Sequence, residues 1–180
     1  LLGGMGYQFH KPEGAFYQPK RYGLKDVRFA TPTQKIEIWT MNGTSHAGTI
    51  IPTPDQAVAA NWEIVGAQDW NADANTDFLW YNATSGKIVL WFMDASVVRI
   101  TGQFTNPANA GDNNWNVLAM GDYGIGPSGL PDTKDIVWRN ANSGRIVVWH
   151  MDTAGNRTAG LFTTPMEPTP NPTDWTVVGP

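Results

Sequence analysis

Apolar residues in this chain come in short runs, and none of them holds a helical spacing. Trp62-Glu-Ile-Val-Gly66, Asp77-Phe-Leu-Trp80 and Ile88-Val-Leu-Trp91 are rich in β-branched and aromatic side chains, and a weaker run ends in Gly102-Gln-Phe104. Gly, Asn, Asp and Ser separate them, so they predict strands of an antiparallel meander. No apolar stripe recurs at helical intervals over three turns, so no substantial helix is predicted.

The same pattern is written three times. Asp77-Phe-Leu-Trp80 through Lys87-Ile-Val-Leu-Trp91-Phe-Met93-Asp94 matches Asp135-Ile-Val-Trp138 through Arg145-Ile-Val-Val-Trp149-His-Met151-Asp152. Asp26-Val-Arg-Phe29 through Lys35-Ile-Glu-Ile-Trp39-Thr-Met41-Asn42 keeps the order with a turn one residue shorter. A Trp-led run precedes the second and third copies (Trp62 to Gly66, Trp115 to Ala119), and another, Trp175 to Gly179, ends the chain. Ser85-Gly86 and Ser143-Gly144 mark the turn between the second and third runs. Four strands in a unit of roughly 50–60 residues predict a propeller blade.

The first copy lacks a leading strand and the last run lacks followers, so each supplies what the other needs. The predicted fold is all-β: a small β-propeller of about three four-stranded antiparallel blades, closed by the C-terminal strand, with an extended N-terminal arm. The arm covers 1–24 and the repeat domain 25–180, with blades at 25–60 plus 174–180, 61–113 and 114–173. Closure would remove an open sheet edge. Propellers typically have four to eight blades, so three allow an unusually small ring, two chains pooling six blades as a homodimer, or a piece of a longer array.

Composition narrows the partners. The formal charge is −4; residues 1–24 hold Lys11, Lys20 and Arg21 against Glu13, a net +2 that leaves −6 for the rest. An acidic body without clustered Lys and Arg predicts no nucleic-acid partner. The absence of cysteine excludes disulfides, thiolate metal sites and a thiol nucleophile. No apolar run approaches the roughly 18–20 residues that cross a bilayer as a helix. The chain starts Leu1-Leu-Gly-Gly without Met, which reads as a processed or partial chain.

In the arm, Tyr7, Phe9, Phe16 and Tyr17 alternate with glycines, Pro12, Pro19 and the basic Lys20 and Arg21. The prolines and glycines argue against a helix and for an extended segment. Such a segment packs over its own domain or lays its aromatics into a partner.

The pattern Trp-x-[Ile/Val]-[Val/Leu]-Gly, an acidic loop, Asp-[Phe/Ile]-[Leu/Val]-Trp and Gly-[Lys/Arg]-Ile-Val-x-Trp-x-Met-[Asp/Asn] resembles the integrin-like FG-GAP or VCBS-type propeller repeat over residues 26–180. The resemblance implies a propeller fold in an extracytoplasmic protein, periplasmic or secreted, that serves adhesion, ligand binding or assembly. It also implies a Ca²⁺ loop between the first two strands. Asp69, Asn71, Asp73 and Asp77 match that loop at positions one, three, five and nine, and the main-chain carbonyl of Asn75 stands at position seven, which would converge hard oxygens on one Ca²⁺. Ala74 departs from the glycine the loop needs for its sharp turn. The alternative is an Asx-rich turn held by side-chain to main-chain bonds without metal. The corresponding stretch of the last copy, 122–135, is lengthened and loses the spacing.

No acid–base constellation stands out. His10, His46 and His150 fall in unlike contexts, and His150, aligned with Phe92 and Thr40, is expected to face outward. Asp26, Asp77 and Asp135 recur in phase, as turn formers and caps do, and no nucleophile elbow or phosphate loop is present. The phased tryptophans predict core packing. Trp70 has no counterpart in the other copies, and in the acidic loop it is the one candidate to stack on a sugar.

The sequence thus predicts a noncatalytic interaction module. It would be an accessory or scaffolding subunit docking onto a larger protein complex, one at a membrane surface included, through Tyr7, Phe9, Phe16, Tyr17, Lys20 and Arg21. The alternative is a glycan-binding lectin using Trp70 beside a Ca²⁺-supported loop.

Overall fold

In the second and third copies the turn between the second and third strands is built by one asparagine. Asn82 Oδ1 accepts bonds from Thr84 N at 3.1 Å, Ser85 N at 2.9 Å and Ser85 Oγ at 3.1 Å. Asn140 does the same with Asn142 N at 3.1 Å, Ser143 N at 2.9 Å and Ser143 Oγ at 3.1 Å. Gly86 and Gly144 then take φ of 68° and 72°, and each N–H closes on the asparagine carbonyl at 2.8 Å. A left-handed residue is needed there, which is why the Ser-Gly pair recurs.

The computed structural model describes residues 5–10, 16–17, 24–30, 35–57, 59, 61–123 and 134–166. They form thirteen strands and no helix: β1 (Met5–His10), β2 (Phe16–Tyr17), β3 (Leu24–Ala30), β4 (Lys35–Asn42), β5 (Ser45–Ile50), β6 (Trp62–Gln68), β7 (Asp77–Asn82), β8 (Lys87–Met93), β9 (Arg99–Asn109), β10 (Trp115–Gly121), β11 (Asp135–Asn140), β12 (Ile146–Met151) and β13 (Arg157–Phe162). The chain forms two compact units. One holds the described residues before Asn61 together with Ser96–Arg99; the other holds Asn61–Ala95 and the described residues from Ile100 onward.

The first unit carries a five-stranded sheet in the order β2-β1-β3-β4-β5. β3, β4 and β5 are antiparallel, with Asp26 opposite Trp39 and Met41 opposite His46, and Ile36 and Ile38 are buried. The free edge of β3 was expected to receive strand 174–180, which lies outside the described residues. That edge carries β1 instead, in parallel, with Phe9 opposite Val27; β2 pairs antiparallel with β1. An unpaired strand edge is a row of unmet N–H and C=O groups, and the arm preceding β3 supplies a strand that meets them. Thr53 in this unit forms a parallel bridge with Val98: its N–H donates to Val97 O at 3.0 Å and its carbonyl accepts from Arg99 N at 2.7 Å.

The second unit holds two four-stranded sheets, β6-β7-β8-β9 and β10-β11-β12-β13, each a meander in chain order. Both leading strands bulge in phase, between Ile64 and Gly66 and between Val117 and Ala119. Period-two alternation turns Leu79, Tyr81, Ile88, Leu90 and Phe92 to one face of the first sheet, where they share a core with Met120, Ile136, Trp138, Trp149 and Met151 of the other. Tyr81 meets Trp138 edge-on at 6.2 Å and donates its hydroxyl to Trp115 O at 2.9 Å. Gly66 lets the Met120 side chain lie on its main chain, since a Cβ there would fall 2.7 Å from Met120 Cε. Asn106 repeats the bridge of Thr53, pairing in parallel with Asn156 while its N–H donates to Gly155 O at 2.9 Å.

Candidate functional site

The loop between β6 and β7 folds on its own oxygens. Asp69 accepts from Asp73 N at 3.1 Å and Ala74 N at 2.9 Å. Asn71 Oδ1 accepts from Asp73 N at 3.2 Å, and its Nδ2 donates to Asp73 Oδ2 at 3.0 Å. Asp73 Oδ1 accepts from Asn75 N at 2.8 Å, and this bond, foremost among the causes, holds its carboxyl below the ordinary range. Ala72 and Ala74 sit at φ of 63° and 68°, a left-handed geometry costing an L-residue roughly 1–2 kcal/mol. Ala74 therefore adopts the turn for which a glycine was expected.

Asp77 belongs to a different set. It is 1 % exposed, and its two oxygens accept from Trp70 N at 3.0 Å and Met93 N at 2.9 Å, which ties the loop and β8 to β7. Burial, foremost, raises its pKa to about 6; the main-chain bonds oppose the shift, and the charges of Asp73 and Asp69 add to it. Of the five residues proposed for Ca²⁺, the structure thus gathers Asp69, Asn71, Asp73 and the main chain of Asn75 into one Asx network. Asp77 is committed to the sheet. Among the described residues no group of three or more His, Cys, Asp or Glu side chains is arranged to hold a metal ion.

Trp70 was expected on the surface and is instead fully buried, 0 % exposed, with Nε1 donating to Asp152 O at 3.1 Å. A ring with both faces in the core has none to offer a sugar. Its neighbour Asp77 captures the Trp70 N–H, which turns the residue inward. His150 was likewise expected to face outward and is only 8 % exposed. Its Nδ1 lies 3.2 Å from Oδ2 of the fully buried Asp135, which also accepts from Tyr123 N at 3.0 Å. Asp135 Oδ1 has no partner among the described residues. The alignment with Phe92, a core residue, held the signal: in a repeat, aligned positions share a face. The pair joins neighbouring strands β11 and β12 of one sheet.

The arm residues divide. Tyr7 and Phe9 fall on β1 and Phe16 and Tyr17 on β2, so their main chain is paired within the chain. Lys20 and Arg21 lie outside the described residues. Reading the sequence missed the outward apolar side chains of the edge strands: Ile100 and Phe104 on β9, and Leu161 and Phe162 on β13, at 64 %, 52 %, 58 % and 47 % exposed. Of these, Phe104 and Phe162 occupy the same position of the repeat, as Gly102 and Gly160 do. Trp62 packs on Phe104 at 6.4 Å, and Trp115 on Phe162 at 6.5 Å. Lys87 Nζ stands 5.4 Å from the Phe104 ring centroid.

In comparison with protein-family models, curated proteins and solved structures, none matches this chain. Among the described residues no helix is long and apolar enough to cross a membrane.

Proposed function

We propose that the protein is a noncatalytic interaction module whose three sheets are blades of a propeller of the FG-GAP or VCBS type. It works outside the cytoplasm as an accessory or scaffolding subunit of a larger protein assembly. One observation carries the proposal: the repeated aromatic pairs Trp62–Phe104 and Trp115–Phe162 on successive sheets, in each of which the phenylalanine is exposed. Large apolar side chains that remain exposed on both edge strands are what a partner protein buries. They add to the arm, whose outermost strand β2 offers the partner a second edge. Trp70 drops out of the surface, and with it the feature that favoured a glycan.

The test uses Phe104→Ala with Phe162→Ala in the full chain, expressed in its source and sized in a mild native extract. Both side chains are half exposed or nearly so and rest on their tryptophans, so truncation should cost about 1–2 kcal/mol each. The expected result is a shift from a large particle to free protein that still melts cooperatively. Unaltered co-migration of the double variant with a large particle would reject these edge strands as the docking surface.

A further inference from the structure

One turn of the chain carries chemistry that the others lack. Asn42 ends β4, Ser45 begins β5, and the two are paired across the loop Gly43-Thr44. The ladder is already broken behind them by a bulge between Thr40 and Met41, so only the pairs Met41–His46 and Asn42–Ser45 hold the tip. Residues 42–47 are all exposed. The Asn42 side chain makes no hydrogen bond among the described residues. Gly43 takes φ of 62°, and a Cβ built on it would meet nothing within 4 Å. Of all the asparagines in the chain, Asn42 alone is followed by glycine.

Three other turn asparagines show the contrast. Asn82 and Asn140 each accept three bonds on Oδ1 and are followed by alanine. Asn156 donates Nδ2 to Asp152 Oδ2 at 2.8 Å and is followed by arginine. A bonded amide is held away from the next main-chain nitrogen, and a Cβ on the next residue crowds that nitrogen. Asn42 has neither restraint.

We infer that Asn42 is a site of spontaneous covalent modification, where the Asn42–Gly43 link passes through a succinimide to aspartate and isoaspartate. The main-chain nitrogen of Gly43 attacks Asn42 Cγ. The new N–Cγ bond forms, the Cγ–Nδ2 bond breaks, and Nδ2 leaves as ammonia with the proton of the Gly43 N–H. Water then adds to one ring carbonyl and the C–N bond there breaks. Opening at Cγ leaves aspartate; opening at the main-chain carbonyl leaves isoaspartate, with the chain running through Cγ. Ring closure needs the Asn42 ψ to leave the strand range, and for the last ladder residue of β4 that opens only one terminal pair, a local event of low cost. The product adds one negative charge to the formal −4, and isoaspartate inserts a methylene into the main chain beside the tip. β5 is the outermost strand of its sheet. Its further holds are the Thr40 hydroxyl, which donates to Gly48 O at 3.1 Å, and the His46 ring, 4.9 Å from that of Trp39. The register at Met41–His46 is therefore the first to loosen, and the modification marks the age of a molecule at this margin of the first unit.

The test holds the purified full chain in mildly alkaline buffer for weeks and follows every asparagine by peptide mapping and mass spectrometry. The expected result is an ammonia-for-water mass gain confined to the peptide that holds Asn42, with isoaspartate among the products. Anion exchange should resolve a more acidic species, in which the amides of Ser45–Ile50 exchange hydrogen faster than in fresh protein. Asn42→Gln keeps Gly43 and its turn but must close a larger, slower ring, so it should lose the acidic species. The same chain in urea gives the rate without structure. A gain at Asn42 in urea but none in the folded protein would show that the hairpin protects the amide, and would overturn the inference. An equal gain at Asn82 or Asn140 in the folded protein would overturn it as well, because those amides are bonded and precede alanine. Neither result touches the test with Phe104 and Phe162, which reads association and different strands.

Discussion

Gly66→Ala tests the packing of the two sheets in the second unit. The added methyl would lie 2.7 Å from Met120 Cε and 3.0 Å from both Cβ and Sδ. The far end of a methionine swings aside easily, but Cβ is fixed to the β10 main chain, so the strands must separate by a few tenths of an ångström. Overpacking of this kind costs about 1–3 kcal/mol. For a unit of this size that lowers the melting temperature by roughly 2–4 °C per kcal/mol. The control is Met120→Gly, which removes Cβ, Sδ and Cε together at about 2–5 kcal/mol for the buried side chain and about 0.5–1 kcal/mol more for a glycine in a strand. With Met120 truncated, the methyl introduced at position 66 enters the vacated space, so the second substitution should change stability by less than about 0.5 kcal/mol. Urea denaturation of the four proteins closes the cycle, with an expected coupling of about 1–3 kcal/mol. Equal losses from Gly66→Ala in both backgrounds would refute the steric cause, and a neutral single variant would refute the close approach.

Asn82→Ala and Asn140→Ala each remove an acceptor of three bonds; each should destabilise by about 1–3 kcal/mol, and Asp should recover part of the loss where Gln does not, as thermal melts would show. Burial raises the folded-state pKa of Asp77 to about 6 from an ordinary value of 3.8, so the native state binds its proton more tightly than the unfolded one. Its ionisation penalises folding above about pH 6, and stability should rise as pH falls from there toward 4. Urea midpoints of wild type minus Asp77→Asn across that window should show this slope, and a difference independent of pH would contradict it. Millimolar Ca²⁺ should leave the melting temperature within about 1 °C of its value in chelator, because Asp77 is already bonded on both oxygens; a rise of several degrees would show that the 69–77 loop rearranges around the ion.

What the sequence disclosed follows from periodicity. Strands β6 to β13 include short runs rich in β-branched and aromatic residues, and Asn-x-x-Ser-Gly turns punctuate them, so their meanders could be read from the chain. The second and third repeats could be checked against each other. β1 could not be read this way, because it belongs to no repeat and its parallel pairing with β3 depends on an open edge and not on a local pattern. Trp70 misled for a related reason. It stands alone in a polar loop, and only the bond from its N–H to the buried Asp77 reveals that the loop turns it into the core. His150 was the opposite case, since its alignment with the buried Phe92 carried the answer and its chemistry argued against it. A polar side chain is tolerated there because Asp135 waits beside it.

Joints formed by Thr53 with Val98 and by Asn106 with Asn156 share scarcely a side chain, yet they make the same pairing. A link written chiefly in main chain is inherited whole whenever its segment is duplicated, with no new complementary surface to invent. Gene-level duplication could therefore lengthen or shorten such an array by whole units, leaving each exposed face free to diverge toward a new partner.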